Sequence, residues 1–146
     1  MDLQLGGQKV LITGGSRGIG RAIASSMARE GCEIHLSSRT EADLQRAEAE
    51  ITDATGSEVS IHAFDLSEST NTSQLAEVCA DVDILINNAG AIPGGNLGDV
   101  DESRWRLAWD LKVFGYINLT RLIYARMQER HRGVILNIIG LAGERY

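Results

Sequence analysis

One short stretch constrains the fold of this chain more than any other. Thr13-Gly14-Gly15-Ser16-Arg17-Gly18-Ile19-Gly20 lies between a segment that reads as a strand and one that reads as a helix. Gln8–Thr13 is an apolar and β-branched run stopped by Gly-Gly, the signature of a short buried strand. Gly18–Glu30 follows, with Ile19, Ile23 and Met27 at helical spacing and Gly31 at its end. A strand that turns at once into a helix needs glycine in the turn. Gly14 permits the tight turn, Gly18 lets backbone come close to a bound group, and Gly20 lets the helix pack against the strand. The start of such a helix presents free N–H groups and a partial positive charge, which suit a phosphate. A Gly-rich turn alone is weak evidence. Its position inside a strand–helix–strand unit gives it weight.

The rest of the chain repeats the alternation. Cys32–Ser38 reads as a second strand. Thr40 opens a helix, with Asp43 in a weak capping box and Leu44, Ala47 and Ile51 as the apolar stripe. Val59–Phe64 reads as strand three. Ser67 caps a helix bearing Leu75 and Val78, and Val82–Ile86 reads as strand four, running into Asn87-Asn88-Ala89-Gly90. A loop with Pro93, Gly94, Gly95 and Gly98 precedes one long helix, Glu102 to His131, striped by Trp105, Trp109, Val113, Tyr116, Ile123 and Met127. Val134–Ile139 reads as strand five. The fold class is therefore α/β, strand–helix–strand units forming a parallel sheet with right-handed crossovers. The strand cores are continuous apolar runs, as a sheet covered on both faces requires.

Composition narrows the function. With 146 residues the chain is one domain's worth, residues 1–146, and the net charge of −6 argues against a nucleic-acid or anionic-membrane binder. No apolar run reaches the ~20 residues of a membrane span, and the N-terminus has no signal-peptide pattern. The two cysteines, Cys32 and Cys79, read as buried thiols in a reducing cytoplasm rather than a disulfide framework. His35, His62 and His131 stand far apart in the sequence without metal-ligand spacing, so no metal is expected.

With these residues in place the chain resembles the short-chain dehydrogenase/reductase family. Thr13–Gly20 is similar to its cofactor loop, although the glycine spacing of x3 then x1 differs from the usual Rossmann x1 then x2. A P-loop is excluded, since no Lys-Ser/Thr follows the glycines. Asn87-Asn88-Ala89-Gly90 after strand four resembles the second signature, and Asp65-Leu66 after strand three matches the adenine-contacting position. The resemblance implies a Rossmann-type, doubly wound parallel sheet of strand order 3-2-1-4-5, binding NAD or NADP across the carboxyl ends of its strands. Gly14, Ser16, Arg17, Gly18, Ile19 and Gly20 would hold the phosphates. Asp65 and Leu66 would contact the adenine, and Asn88, Ala89 and Gly90 would line the ribose beside the nicotinamide. Asn87 reads instead as a tie between strands. At the end of strand two, an acid would favour a ribose 2′-hydroxyl. Ser37-Ser38-Arg39 supplies none, and Arg39 with Arg17 favours NADP(H) over NAD(H).

The catalytic set departs from the family. The resemblance implies a Tyr-x-x-x-Lys unit, a Ser and a helical Asn. Lys112 stands at the Asn position, in Lys112-Val113-Phe114-Gly115, and Gly140 stands at the Ser position. Tyr146 follows Gly140 too closely and has no Lys after it. Lys112 is the candidate catalytic residue, able to donate to a carbonyl oxygen; a snorkelling surface lysine is the other reading. The chain thus reads as the N-terminal, cofactor-binding portion of the family, stopping after strand five. The expected function is NADP(H)-dependent hydride transfer to or from a carbonyl or secondary alcohol of a small molecule. The alternative is a divergent or inactive dinucleotide-binding module. Strands four and five would lack a helix on one face, which predicts cover from further chain or a homo-oligomer partner.

Overall fold

The computed structural model describes residues 3–91 and 93–140. Tyr146, assigned above no catalytic part, lies outside the described residues. Five parallel strands form one sheet in the order β3-β2-β1-β4-β5, as expected. They are β1 (Lys9–Thr13), β2 (Glu33–Ser38), β3 (Val59–Ala63), β4 (Ile84–Asn87) and β5 (Val134–Asn137). The helices are α1 (Gly18–Arg29), α2 (Glu41–Thr55), α3 (Ser69–Val78), α4 (Glu102–Trp109) and α5 (Tyr116–Glu129). A 3-10 turn at Leu97–Asp99 leads into α4, whose N-cap Asp101 accepts from the Arg104 N–H at 2.9 Å.

Alternation along each strand divides the core in two. Val10, Ile12, Ile34, Leu36, Ile84 and Ile86 face α1 and α2, where Ala24, Ala28, Leu44, Ala47 and Ile51 meet them. Leu11 and Leu85 face the other way, onto Leu75, Leu119, Ile123 and Met127 of α3 and α5. This is the two-sided cover that the continuous apolar strands demand.

Several local readings are corrected. The helix α1 buries its small residues, Gly20, Ala24 and Ala28, while Ile19 is exposed. Close packing of a helix onto a sheet favours the small face over the large one here. Thr40 is the N-cap of α2 but makes no side-chain cap bond, and Asp43 instead accepts from Arg46 at 3.3 Å. Ser67 does not cap α3; Glu68 holds that position, and Ser67 donates from N and Oγ to Asp65 Oδ1. Val78 is exposed rather than part of the core. The long helix expected from Glu102 to His131 is two helices joined by a π-helical segment, Asp110–Gly115. Of its expected stripe, Ile123 and Met127 are buried, but Trp105 and Trp109 are exposed.

On β5, Val134 and Leu136 are exposed, and Ile139 just beyond it is 77% exposed. The face left without a helix in the sequence argument is therefore open among the described residues. Leu85 sits at full burial between β1 and α5, whereas Val78 faces solvent. Leu85→Ala is expected to cost about 2–5 kcal/mol of stability, and Val78→Ala to stay within about 0.5 kcal/mol. Denaturant titration of both variants checks the contrast.

Candidate functional site

The site begins where β1 and β4 end side by side. Neighbouring strands whose crossovers leave in opposite directions open a crevice at their carboxyl ends, the usual ligand position in such sheets. Here the crevice is clasped from below by Thr13 and Asn88. Thr13 Oγ1 accepts from the Asn88 N–H at 2.9 Å and the Ala89 N–H at 3.0 Å. Asn88 Nδ2 donates to Thr13 O at 3.0 Å and Gly14 O at 3.2 Å. The loop after β1 and the loop after β4 are thereby one unit. Asn87 makes the expected strand tie: its Nδ2 donates to Thr120 Oγ1 and Asn137 Oδ1, both at 2.9 Å.

The glycines have distinct reasons. Gly14 has φ +65°, and a Cβ there would lie 2.9 Å from Ala89 Cα. A Cβ at Gly20 would lie 2.3 Å from Gly14 O and 2.6 Å from Asn88 Nδ2, so it is close approach that requires glycine. Gly14 N–H donates to Ser37 O at 2.7 Å, which fixes the loop against β2 as well. No side chain caps α1 and no acid occupies its first turn. Its leading N–H groups and partial positive charge are left for a ligand.

These elements enclose a cleft of about 320 Å³. Of the residues singled out in the sequence, Gly14, Ser16, Arg17, Ile19, Arg39, Leu66, Asn88, Ala89 and Gly90 line it together. Gly18 and Gly20 shape the loop without lining the cleft. Asp65 does not line it either; its Oδ1 is engaged by Ser67. Ser37, Ser38, Thr40, Asp43, Phe64 and Leu111 also line the cleft; the sequence offers no signal for their direct part in ligand contact, because nothing in their residue type separates them from ordinary strand, loop and helix positions.

The cleft fits a dinucleotide carrying phosphate. The Ser37 and Ser38 hydroxyls are buried at its wall without a hydrogen-bond partner among the described residues. Buried hydroxyls in native proteins are normally satisfied, so these two are donors and acceptors available to a ligand in the cleft. Arg17 and Arg39 both line the cleft and have no carboxylate partner among the described residues.

Beyond Gly90 the π-helical segment brings Lys112 inward. Its Nζ donates to Ile138 O at 2.6 Å and to Tyr116 Oη at 2.7 Å, and lies 4.6 Å from the Tyr116 ring centre. Its Cδ lies 3.1 Å from where a Gly90 Cβ would stand. The snorkelling reading of Lys112 does not hold, since the side chain is half-buried against the site. Burial holds its pKa below the usual lysine value and pushes Tyr116 up to about 12. Tyr116 was read only as part of an apolar stripe; the Lys-x-x-x-Tyr spacing on one helix was the signal for the pair. Gly140 follows just after Ile138 and Ile139 and brings no side chain.

The histidine reading also needs correcting. His35 and His62 are far apart in sequence but adjacent in space, because β2 and β3 pair with His35 opposite Ser60. His62 is then the diagonal neighbour of His35, and the two rings touch.

Comparison with known proteins agrees with this geometry. A family profile described as short chain dehydrogenase matches residues 8–146. Ketoacyl reductase HetN of Nostoc sp. is 32% identical over 145 residues, 97% of this chain and 50% of that protein. The structure of L-sorbose reductase from Gluconobacter frateurii with NADPH and L-sorbose superposes with a TM-score of 0.87 at 30% identity, covering 94% of this chain and 54% of that one. A metagenomic short-chain oxidoreductase in complex with NADP gives 0.88 at 36% identity, covering 97% and 66%. The chain belongs to the short-chain dehydrogenase family. It spans about half the length of the curated relatives it matches.

The packing around Gly20 yields a direct test. Gly20→Ala drives a methyl into Gly14 O and the Asn88 amide, and is expected to destabilise the fold by about 1–3 kcal/mol. It should weaken dinucleotide binding beyond that loss, because both loops of the cleft must shift. Thermal unfolding and cofactor titration on the same sample check it.

Proposed function

We propose that this chain carries the NADP(H)-binding half of a short-chain oxidoreductase. The reaction is hydride transfer between a nicotinamide and a carbonyl or secondary-alcohol carbon of a small molecule. One observation carries the choice of NADP over NAD. Arg39 follows the end of β2 and Arg17 stands in the glycine loop, and both line the cleft. The carboxylate nearest in sequence that also lines it, Asp43, is turned to Arg46. Two unpaired guanidiniums match a 2′-phosphate and leave a bare 2′-hydroxyl without its usual acidic acceptor. The relatives bound to NADPH and NADP support the same reading.

When bound, the nicotinamide supplies or accepts the hydride. The residues of this chain do the rest. The N-terminus of α1 and the glycine loop hold the pyrophosphate, with Ser16 at the turn. Asn88, Ala89 and Gly90 form the wall beside the nicotinamide ribose. Leu66, and Asp65 beside it, close the adenine end. Lys112 handles the proton. An ammonium has three N–H donors; Ile138 O and Tyr116 Oη take two of them. The third is left for a substrate oxygen, and the lowered pKa from burial favours giving up that proton. Gly140 stands where the family's serine is expected and Lys112 where its asparagine is, and these two departures are what favour the second reading, a dinucleotide-binding module without catalysis. Hydride transfer from NADPH to a panel of ketones separates the two.

The protein is further proposed to act in the cytoplasm as a homo-oligomer. The exposed Trp105, Trp109 and Phe114 on α4 and the π-helical segment form an apolar groove suited to a subunit contact. Sedimentation should show a dimer or larger species, and Trp109→Lys with Phe114→Lys should shift it to monomer.

The cofactor claim is tested by titration. Arg39→Asp should weaken NADPH by about 10-fold or more, as expected for loss of a charge-assisted phosphate contact worth ~1.5–3 kcal/mol, and leave NADH nearly unchanged. Equal losses for both cofactors would refute a 2′-phosphate site.

A further inference from the structure

On the α3 side of the sheet, one register step back from Ser37 and Phe64 of the cleft, three ligand-type side chains from three elements converge. Ile34 and Leu36 point to the α1–α2 core, so His35 between them points the opposite way, towards α3. His62 comes from the edge strand β3, and Cys79 follows the end of α3. His35 Nδ1 lies 3.0 Å from His62 Nε2, and Cys79 Sγ lies 3.9 Å and 3.7 Å from those two nitrogens. We propose that His35, His62 and Cys79 form a binding site for a thiophilic metal ion of the Zn(II) type.

The dimensions are those of three corners of a tetrahedron. Metal–nitrogen bonds of ~2.0–2.1 Å and a metal–sulfur bond of ~2.3 Å set N···N at about 3.3 Å and N···S at about 3.6 Å. The structure differs from these by a few tenths of an ångström. Two imidazoles and a thiolate form the borderline-soft donor set that such ions select. The outer surroundings match as well. His35 Nε2 is buried without a hydrogen-bond partner, and Glu33 Oε1 stands 3.5 Å from it. A carboxylate behind the far nitrogen of a ligating histidine is the usual orienting partner.

Without an ion, the two rings lie 7° from parallel with centroids 5.3 Å apart. With the nitrogens at 3.0 Å, that separation puts the rings end to end, not face to face. They share an N–H···N hydrogen bond. To take a common ion each ring must turn by roughly 35°, by the bond lengths above. His62 has room to do so, being half-buried on an edge strand. Binding breaks the Cys79 S–H bond and forms the sulfur–metal bond, and that proton leaves to solvent. The proton shared between the rings passes to His62 Nδ1, and His35 keeps its proton on Nε2 facing Glu33. One proton is released per ion and no electron moves. The fourth position is left to solvent.

Co(II) is the probe for this site. Added to the reduced chain, it should give a thiolate-to-cobalt charge-transfer band in the near ultraviolet with the visible bands of tetrahedral cobalt. One equivalent of Zn(II) should abolish both. His62→Gln, at a half-exposed edge position, should remove the bands while circular dichroism shows the fold intact; Cys79→Ser should do the same, and Cys32→Ser should leave them unchanged. Glu33→Gln should weaken Zn(II) by about 10–100-fold. A wild-type chain without the thiolate band, or bands that persist in His62→Gln, would overturn the site.

Discussion

The clasp between Thr13 and Asn88 is the interaction on which the cleft depends. It consists of hydrogen bonds between the ends of two strands that are distant in sequence but adjacent in the sheet. Each partner works twice. The Thr13 hydroxyl receives two successive N–H groups, and the Asn88 amide gives both of its hydrogens to successive carbonyls. The glycine loop therefore has no freedom independent of the wall beside Gly90. Gly14 and Gly20 are glycine because the clasp draws backbone so close that no Cβ fits. A loop held this way is formed before a ligand arrives, which lowers the ordering cost of binding.

The strands and both signature loops were legible in the sequence because they rest on local rules: apolar runs of strand length, a glycine turn and a helix behind it; the strand order came with the family resemblance. The loop residues found their places because motif position, rather than motif letters, was the guide. What was not legible came from packing. Ile19 and Val78 sit on helical spacing yet face solvent, because periodicity marks a face without saying which side wins. Small residues carried the contact of α1 instead. Ser67 had the right chemistry for a cap, but Asp65 offered a competing partner, and Thr40 holds the N-cap position without a side-chain bond. His35 and His62 became neighbours only through strand register, which no spacing rule within one segment can report.

Arg17 and Arg39 both line the cleft, and the sequence disclosed directly that no acid stands at the end of β2. Behind Gly90, outside the lining of the cleft, the ammonium of Lys112 is held by a carbonyl and a phenol in a half-buried position. Lys112 could be placed from the sequence only at a position in a pattern. Its inward direction depends on the backbone of the segment that carries it.

That segment, Asp110–Gly115, winds with more residues per turn than the helices it joins. An extra residue in a helix rotates everything beyond it by about 100°, the angle per residue of an α-helix. The side chains of α4 and α5 are therefore out of phase, although the sequence reads as one continuous stripe. The rotation lets one rod serve two masters: its later half presents Leu119, Ile123 and Met127 to the sheet, while its earlier half turns tryptophans outward. The same wide turn brings Gly115 against the Leu66 carbonyl, where a Cβ would stand 2.8 Å away. The helix is thus gauged against the strand β3 loop at its joint, and a single residue removed there would put the lysine and the tryptophans on the wrong sides together.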